Sequence, residues 1–160
     1  MARFSVMLLD TFNREYRPGL AQAPCGDTFR EADEQFFNKQ DFKSAIESLQ
    51  DSIRKCRDNK LVPGLRILLG LAYFQQGNIE RLSDELMAAL MAAPQSLEKN
   101  VERLLVGSIS YFRILNEEMR KHNLTIGRLP EEPEAIHTVE SRYREWEQRT
   151  GYHISVDISS

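Results

Sequence analysis

Leu69-Gly70-Leu71-Ala72-Tyr73-Phe74-Gln75-Gln76-Gly77-Asn78-Ile79 reads as the end of one helix, a tight turn and the start of another. Gly77 suits the left-handed geometry that closes a helix, and Asn78 makes a good cap for the next. The pattern returns every 37 residues: Phe37, Phe74 and Tyr111 share a register, as do Ala32, Leu69 and Val106, then Asp33, Gly70 and Gly107, then Ala45, Leu82 and Met119. A repeat of this length marks stacked helical hairpins, because one hairpin cannot bury its apolar face alone. The expected fold is all-α, a short stack of antiparallel helix pairs with extra N- and C-terminal helices and a possible C-terminal strand.

Working outward, Pro63 opens the helix before the turn, in the first turn where its missing N–H had no partner. The helix after the turn turns Ile79, Leu82, Leu86, Ala89 and Leu90 inward and stops at Pro94. Upstream, Thr28 and Glu31 form a capping box for a helix carrying Phe29, Ala32, Phe36 and Phe37. Asn38-Lys39-Gln40 turns the chain, and Asp41 caps a helix with Phe42, Ala45, Ile46, Leu49 and Ile53 inward, running to about Arg57. Downstream, Ser96 starts a helix that runs to about His122. No turn signal occurs at Ile114-Leu115, where the register places one, so the third unit is expected as a single long helix.

At the ends, Phe4, Leu8, Phe12 and Tyr16 recur at four-residue intervals along one side of a short amphipathic helix, with a strand through Phe4 to Leu9 as the alternative. Arg17-Pro18-Gly19 ends it, and the stretch to Gly26 reads as loop. Glu131, Glu132 and Glu134 crowd the start of a last helix that runs to about Arg149, and Tyr152 to Ser159 alternates apolar and polar residues like a half-buried strand. The division is 1–25, an N-terminal helix and loop; 26–128, the repeat; and 129–160, a helix and tail, all in one compact domain.

At 160 residues, with 41% hydrophobic and 28% charged side chains, the chain has the make-up of one soluble globular domain. A net charge of −3 supplies no long-range attraction to nucleic acid, and Phe4 to Leu9 is far too short for a membrane span. Cys25 and Cys56 lie far apart in sequence, and two free thiols in a reducing, cytoplasmic compartment is the plain expectation. No phosphate-binding glycine loop, paired-histidine zinc helix, close cysteine pair or glycine-flanked serine occurs. His122, His137 and His153 are scattered, and the carboxylates at Glu131 and Glu132 read as capping. The expectation is a non-enzyme with no cofactor and no metal.

Residues 62–95 resemble the tetratricopeptide repeat, with Leu69-Gly70, Tyr73, Leu86, Ala89 and Pro94 in the family's places and order. The unit at 26–59 keeps Phe29, Ala32, Phe36, Ala45 and Leu49 but has Asp33 where the family has glycine. The third unit, from about 96, keeps Val106-Gly107 and then departs. The resemblance implies right-handed stacking and a concave groove lined by the first helix of each pair. Arg30, Glu34, Phe37 and Asn38 would line it in the first unit, Ile67, Leu71, Phe74 and Gln75 in the second, and Leu104, Ser108, Tyr111 and Phe112 in the third.

Of these, Phe37, Ile67, Leu71, Phe74, Leu104, Tyr111 and Phe112 make the implied partner-binding strip, suited to an apolar peptide or amphipathic helix of another protein. Glu34 and Leu71 stand where family members that clamp a C-terminal carboxylate carry asparagines, which disfavours a receptor of that type. The function expected is a non-catalytic adaptor or chaperone. The alternative is a structural subunit whose groove is filled by its own C-terminal helix, through Tyr143 and Trp146, and which docks through its outer face, N-terminal helix or tail.

Overall fold

A computed structural model of the chain describes residues 2–23, 26–56, 60–92, 97–121 and 133–152. The described residues are helical apart from short turns and contain no strand. The tail expected as a strand lies outside them, apart from Tyr152. In chain order the helices are α1 (Ala2–Glu15), α2 (Arg17–Gln22), α3 (Gly26–Asp33), α4 (Phe42–Lys55), α5 (Val62–Gln75), α6 (Ile79–Ala92), α7 (Lys99–Lys121) and α8 (Pro133–Thr150). A π-helical turn, Glu34–Asn38, continues α3.

The 37-residue period is visible in the element bounds. Helices α4 and α6 are each 14 residues long and begin at Phe42 and Ile79; α5 and α7 begin at Val62 and Lys99. Both offsets are 37. The turns match as well. Gln40 and Gly77, one period apart, both take left-handed backbone, at φ 53° and 77°. The next residues, Asp41 and Asn78, cap α4 and α6 by accepting from the backbone N–H groups of Ser44 (3.2 Å) and Arg81 (3.1 Å). Gly77 closes α5 through paired bonds, with its own N–H donating to Phe74 O and that of Asn78 to Tyr73 O.

One period later these two places hold Ile114 and Leu115. A β-branched side chain is badly suited to left-handed backbone, and leucine cannot cap. The chain therefore runs straight on as α7, 23 residues long. It replaces the third hairpin with one continuous helix.

Hairpins pack in sequence: α3 on α4, α4 on α5, α5 on α6 and α6 on α7, with α8 against α7. Helix α5 is central, and ten of its fourteen residues are buried, as a helix apolar on nearly every side requires. Gly70 lets α6 approach closely: a Cβ there would lie 3.0 Å from Leu82 Cδ1 and 3.4 Å from both Leu82 O and Glu85 Cβ. The Tyr73 hydroxyl accepts from Gln50 and Arg81, each at 3.2 Å, and so ties α4, α5 and α6 together. Arg66 on α5 donates at 3.0 Å to the buried carboxylate of Glu85 on α6.

Three local expectations are corrected. Residues 17–22 form a helix, α2, rather than loop, because Pro18 sits in its first turn, where proline is tolerated. Thr28 lies inside α3, which starts two residues earlier, so it is not the cap. Cys56, buried at the end of α4, is disulfide-bonded and is not a free thiol. The sequence holds one other cysteine, Cys25, which lies outside the described residues.

Candidate functional site

The first helices of the three units, α3, α5 and α7, are joined by an occupant from within the chain. Helix α1 packs on α5 and α7, and its four regularly spaced residues, Phe4, Leu8, Phe12 and Tyr16, are all buried. Phe12 meets Phe29 of α3 with ring centroids 5.9 Å apart. Tyr16 sits on the backbone of Gly64 at the start of α5, so close that an added Cβ would come within 2.6 Å of its Cδ1. Phe4 lies 4.8 Å from Tyr111 and 6.4 Å from Phe112, both on α7, and Phe112 is 5.5 Å from Phe74 at the far end of α5. Contacts at both ends set α1 antiparallel to α5, above the side that carries Gly64, Ile67, Leu71 and Phe74.

Six of the seven residues expected to bind a partner are consequently core. Ile67, Leu71, Phe74, Leu104, Tyr111 and Phe112 are each 6% exposed or less. Ser108 is buried too, while Arg30, Glu34, Asn38 and Gln75 form an exposed polar margin. Phe37 is the seventh and is half-buried.

Phe37 has a cover of its own. The Arg17 guanidinium lies 4.9 Å from the Phe37 centroid, 5.5 Å from Phe12 and 5.9 Å from Phe29, within reach of a cation–π attraction to each. The same side chain donates at 2.7 Å to Asp33 and at 3.0 Å to Asn13. Asp33, which replaces the glycine of the second unit, thus fixes the junction of α1 and α2 to the first hairpin. The π turn belongs to this junction: Lys39 N–H reaches back five residues to Glu34 O, and the widened turn sets Phe36 inward and Phe37 outward under Arg17.

At the other end the C-terminal helix shares the filling. Tyr143 of α8 lies 5.3 Å from Phe4 and 5.6 Å from Tyr111, and Trp146 stacks on Tyr143 at 5.5 Å. Arg142 anchors this contact by donating at 2.6 Å to Glu117 and 2.9 Å to Glu118 on α7. Burial opposes the charge of Glu118, but hydrogen bonds from Arg142 and Lys121 outweigh it and hold its carboxyl below the ordinary value. The filler expected from α8 is therefore present at one end only, and the greater part comes from α1. The four-residue spacing in α1 was the available signal, although spacing alone gives no destination.

The Tyr16 phenol is pushed up to about 12 by burial, then by the charges of Glu15 and Glu98. It stays neutral against α5. An open cleft of about 180 Å³, lined by Gly77, Asn78, Glu80, Asn116, Met119 and Arg120, lies outside the groove and is bridged by Glu80 and Arg120 at 2.9 Å. It falls short of the roughly 300 Å³ at which small-molecule pockets begin. Among the described residues no cluster of three histidine, cysteine or acidic side chains could hold a metal ion, and no helix is long and apolar enough to cross a membrane.

No family model, curated protein or solved structure matches this chain.

Proposed function

We propose that this chain is a non-catalytic structural subunit, a helical-repeat protein of the tetratricopeptide kind that meets another protein through its outer surface. The observation that carries the reading is α1 across all three first helices. A groove already holding Phe4, Leu8, Phe12 and Tyr16 has no space for a second helix. In this reading the aromatic ladder of Phe74, Phe112 and Tyr111 holds the subunit together. An adaptor that captures peptides in the groove would first have to release α1 and expose four large apolar side chains, at roughly 1.5–3 kcal/mol for each aliphatic or aromatic residue. The disulfide at Cys56 suits an oxidising compartment better than a reducing one, so cytoplasm is not carried into the proposal.

Hydrogen exchange on the full chain tests the reading. The amides of α1 should exchange as slowly as those of α5, since both open only with the core. Exchange of α1 orders of magnitude faster than α5 would return the groove to a binding role.

A further inference from the structure

Cys56 ends α4, buried, with its N–H donating at 2.8 Å to Ser52 O. It is disulfide-bonded, and Cys25 is the one other cysteine in the sequence, so within the chain Cys25 is its partner. Cys25 directly precedes α3 in sequence and Cys56 directly follows α4. The bond therefore joins the two ends of the first hairpin that lie opposite its turn at Gln40, and α3, the π turn and α4 become one covalent ring. One period later the sequence has Val62 and Ala93, so the second hairpin has no such bond.

The first hairpin is the one that packing holds least. Helix α3 is 8 residues long, far below the roughly 12–15 at which a helix persists alone. Among its described side chains it buries Phe29 and Ala32, against ten on α5, and it has Asp33 where α5 has Gly70. Yet α3 carries part of the seat of α1, with Phe29 beside Phe12 and Asp33 on Arg17. The rest of that seat is at the start of α5. Tyr16 covers Gly64 there, and Gly19 of α2 lies so near Leu61 that an added Cβ would stand 2.8 Å from its Cδ2. Helices α1 and α2 thus bridge α3 and α5, and the bridge holds only while α3 is kept on α4 and α4 on α5.

We infer that the bond between Cys25 and Cys56 is a redox lock on α1. Oxidised, it fixes α3 and keeps the groove filled; reduced, it lets α1, α2 and α3 loosen together and the groove open. The inference rests on the reading that α1 fills the groove and adds what controls it. The reductant is a dithiol. One of its thiolates attacks a sulfur of the bond, forming a mixed disulfide and releasing the other cysteine as a thiolate. The second sulfur of the dithiol then displaces the remaining cysteine and closes the reductant's own disulfide. Two electrons pass to the protein, and the two thiol protons of the reductant end on Cys25 and Cys56. In a reducing compartment α1 is held by packing alone, and in an oxidising one it is locked.

The test is hydrogen exchange read by mass spectrometry on the full chain, with and without dithiothreitol. Peptide mapping without reductant should first show Cys25 joined to Cys56 within a monomer. Reduction should then speed exchange in α1, α2 and α3 by about a hundredfold or more, the scale on which closing a ring of this size shifts an opening equilibrium. Helices α5, α6 and α7 should stay slow. Cys56→Ser should give the reduced profile without reductant, and dithiothreitol should change it no further. A bond between two copies of the chain, or exchange of α1 that reduction leaves unaltered, would overturn the inference. So would loss of protection in α5 to α7 together with α1, because the bond would then sustain the whole core and not the seat of α1. Each of these leaves the filled groove standing as long as α1 of the oxidised protein is as slow as α5; fast exchange of α1 in the oxidised protein overturns both.

Discussion

Replacing Gly64 by alanine asks whether α1 is seated on α5. In an exposed helix the change would stabilise by up to about 1 kcal/mol, because alanine has the better helix propensity. Here the new methyl would stand 2.5 Å from Tyr16 Cβ, 2.6 Å from Cδ1 and closer still to Cγ. These atoms are the root of the side chain and cannot swing aside, and Tyr16 is only 7% exposed. Overpacking of this kind costs about 1–3 kcal/mol and sometimes more, so the clash outweighs the propensity gain and the net loss should be about 2 kcal/mol. Urea denaturation followed by circular dichroism should show the midpoint falling by roughly 1 M, given a slope near 2 kcal/mol/M for a small domain. A double-mutant cycle isolates the cause. Tyr16→Ala alone should cost about 3 kcal/mol or more, and adding Gly64→Ala to it should cost nothing further, a coupling of about 2 kcal/mol. If Gly64→Ala stabilises the protein with Tyr16 in place, α1 does not lie against α5 and the filled groove fails.

Two further outcomes follow from the same contacts and turns. Because the Tyr16 phenol is raised from 10.0 to about 12, its share of stability should be complete below pH 10 and fade as pH rises through about 12. That loss, at most about 2–3 kcal/mol, should be missing from alkaline titrations of Tyr16→Phe. Gln40 holds left-handed backbone that glycine adopts freely, so Gln40→Gly should raise the thermal midpoint through a gain of up to about 1 kcal/mol.

The repeat was legible because its signals are local. Caps at Asp41 and Asn78, the glycine at Gly77 and the missing turn at Ile114-Leu115 each depend on a few adjacent residues. The burial of Ile67, Leu71 and Phe74 was not, since a helix apolar on nearly every side reads the same whether its open side meets a partner or its own chain. Phe4, Leu8, Phe12 and Tyr16 declared an amphipathic helix, but its landing place rests on contacts more than 40 residues distant in sequence, such as Tyr16 with Gly64. Arg17 read as a helix-ending residue, and nothing in its neighbours announced three aromatic rings assembled from α1, α3 and the π turn. The Cys56 bond was hidden for the same reason. Spacing along the chain says little about which thiols meet in space.

The straight run of α7 also determines how the array ends. At about 1.5 Å per residue its 23 residues extend about 34 Å, against about 21 Å for the 14-residue helices beside it. The added turns stay packed, with Leu115, Glu118 and Met119 buried and Arg120 paired with Glu80 of α6, and they carry the two carboxylates, Glu117 and Glu118, that Arg142 grips. The next described helix, α8, packs against this longer α7. Two residues, Ile114 and Leu115, thus decide that the last unit presents α8 with one long surface instead of a bent pair.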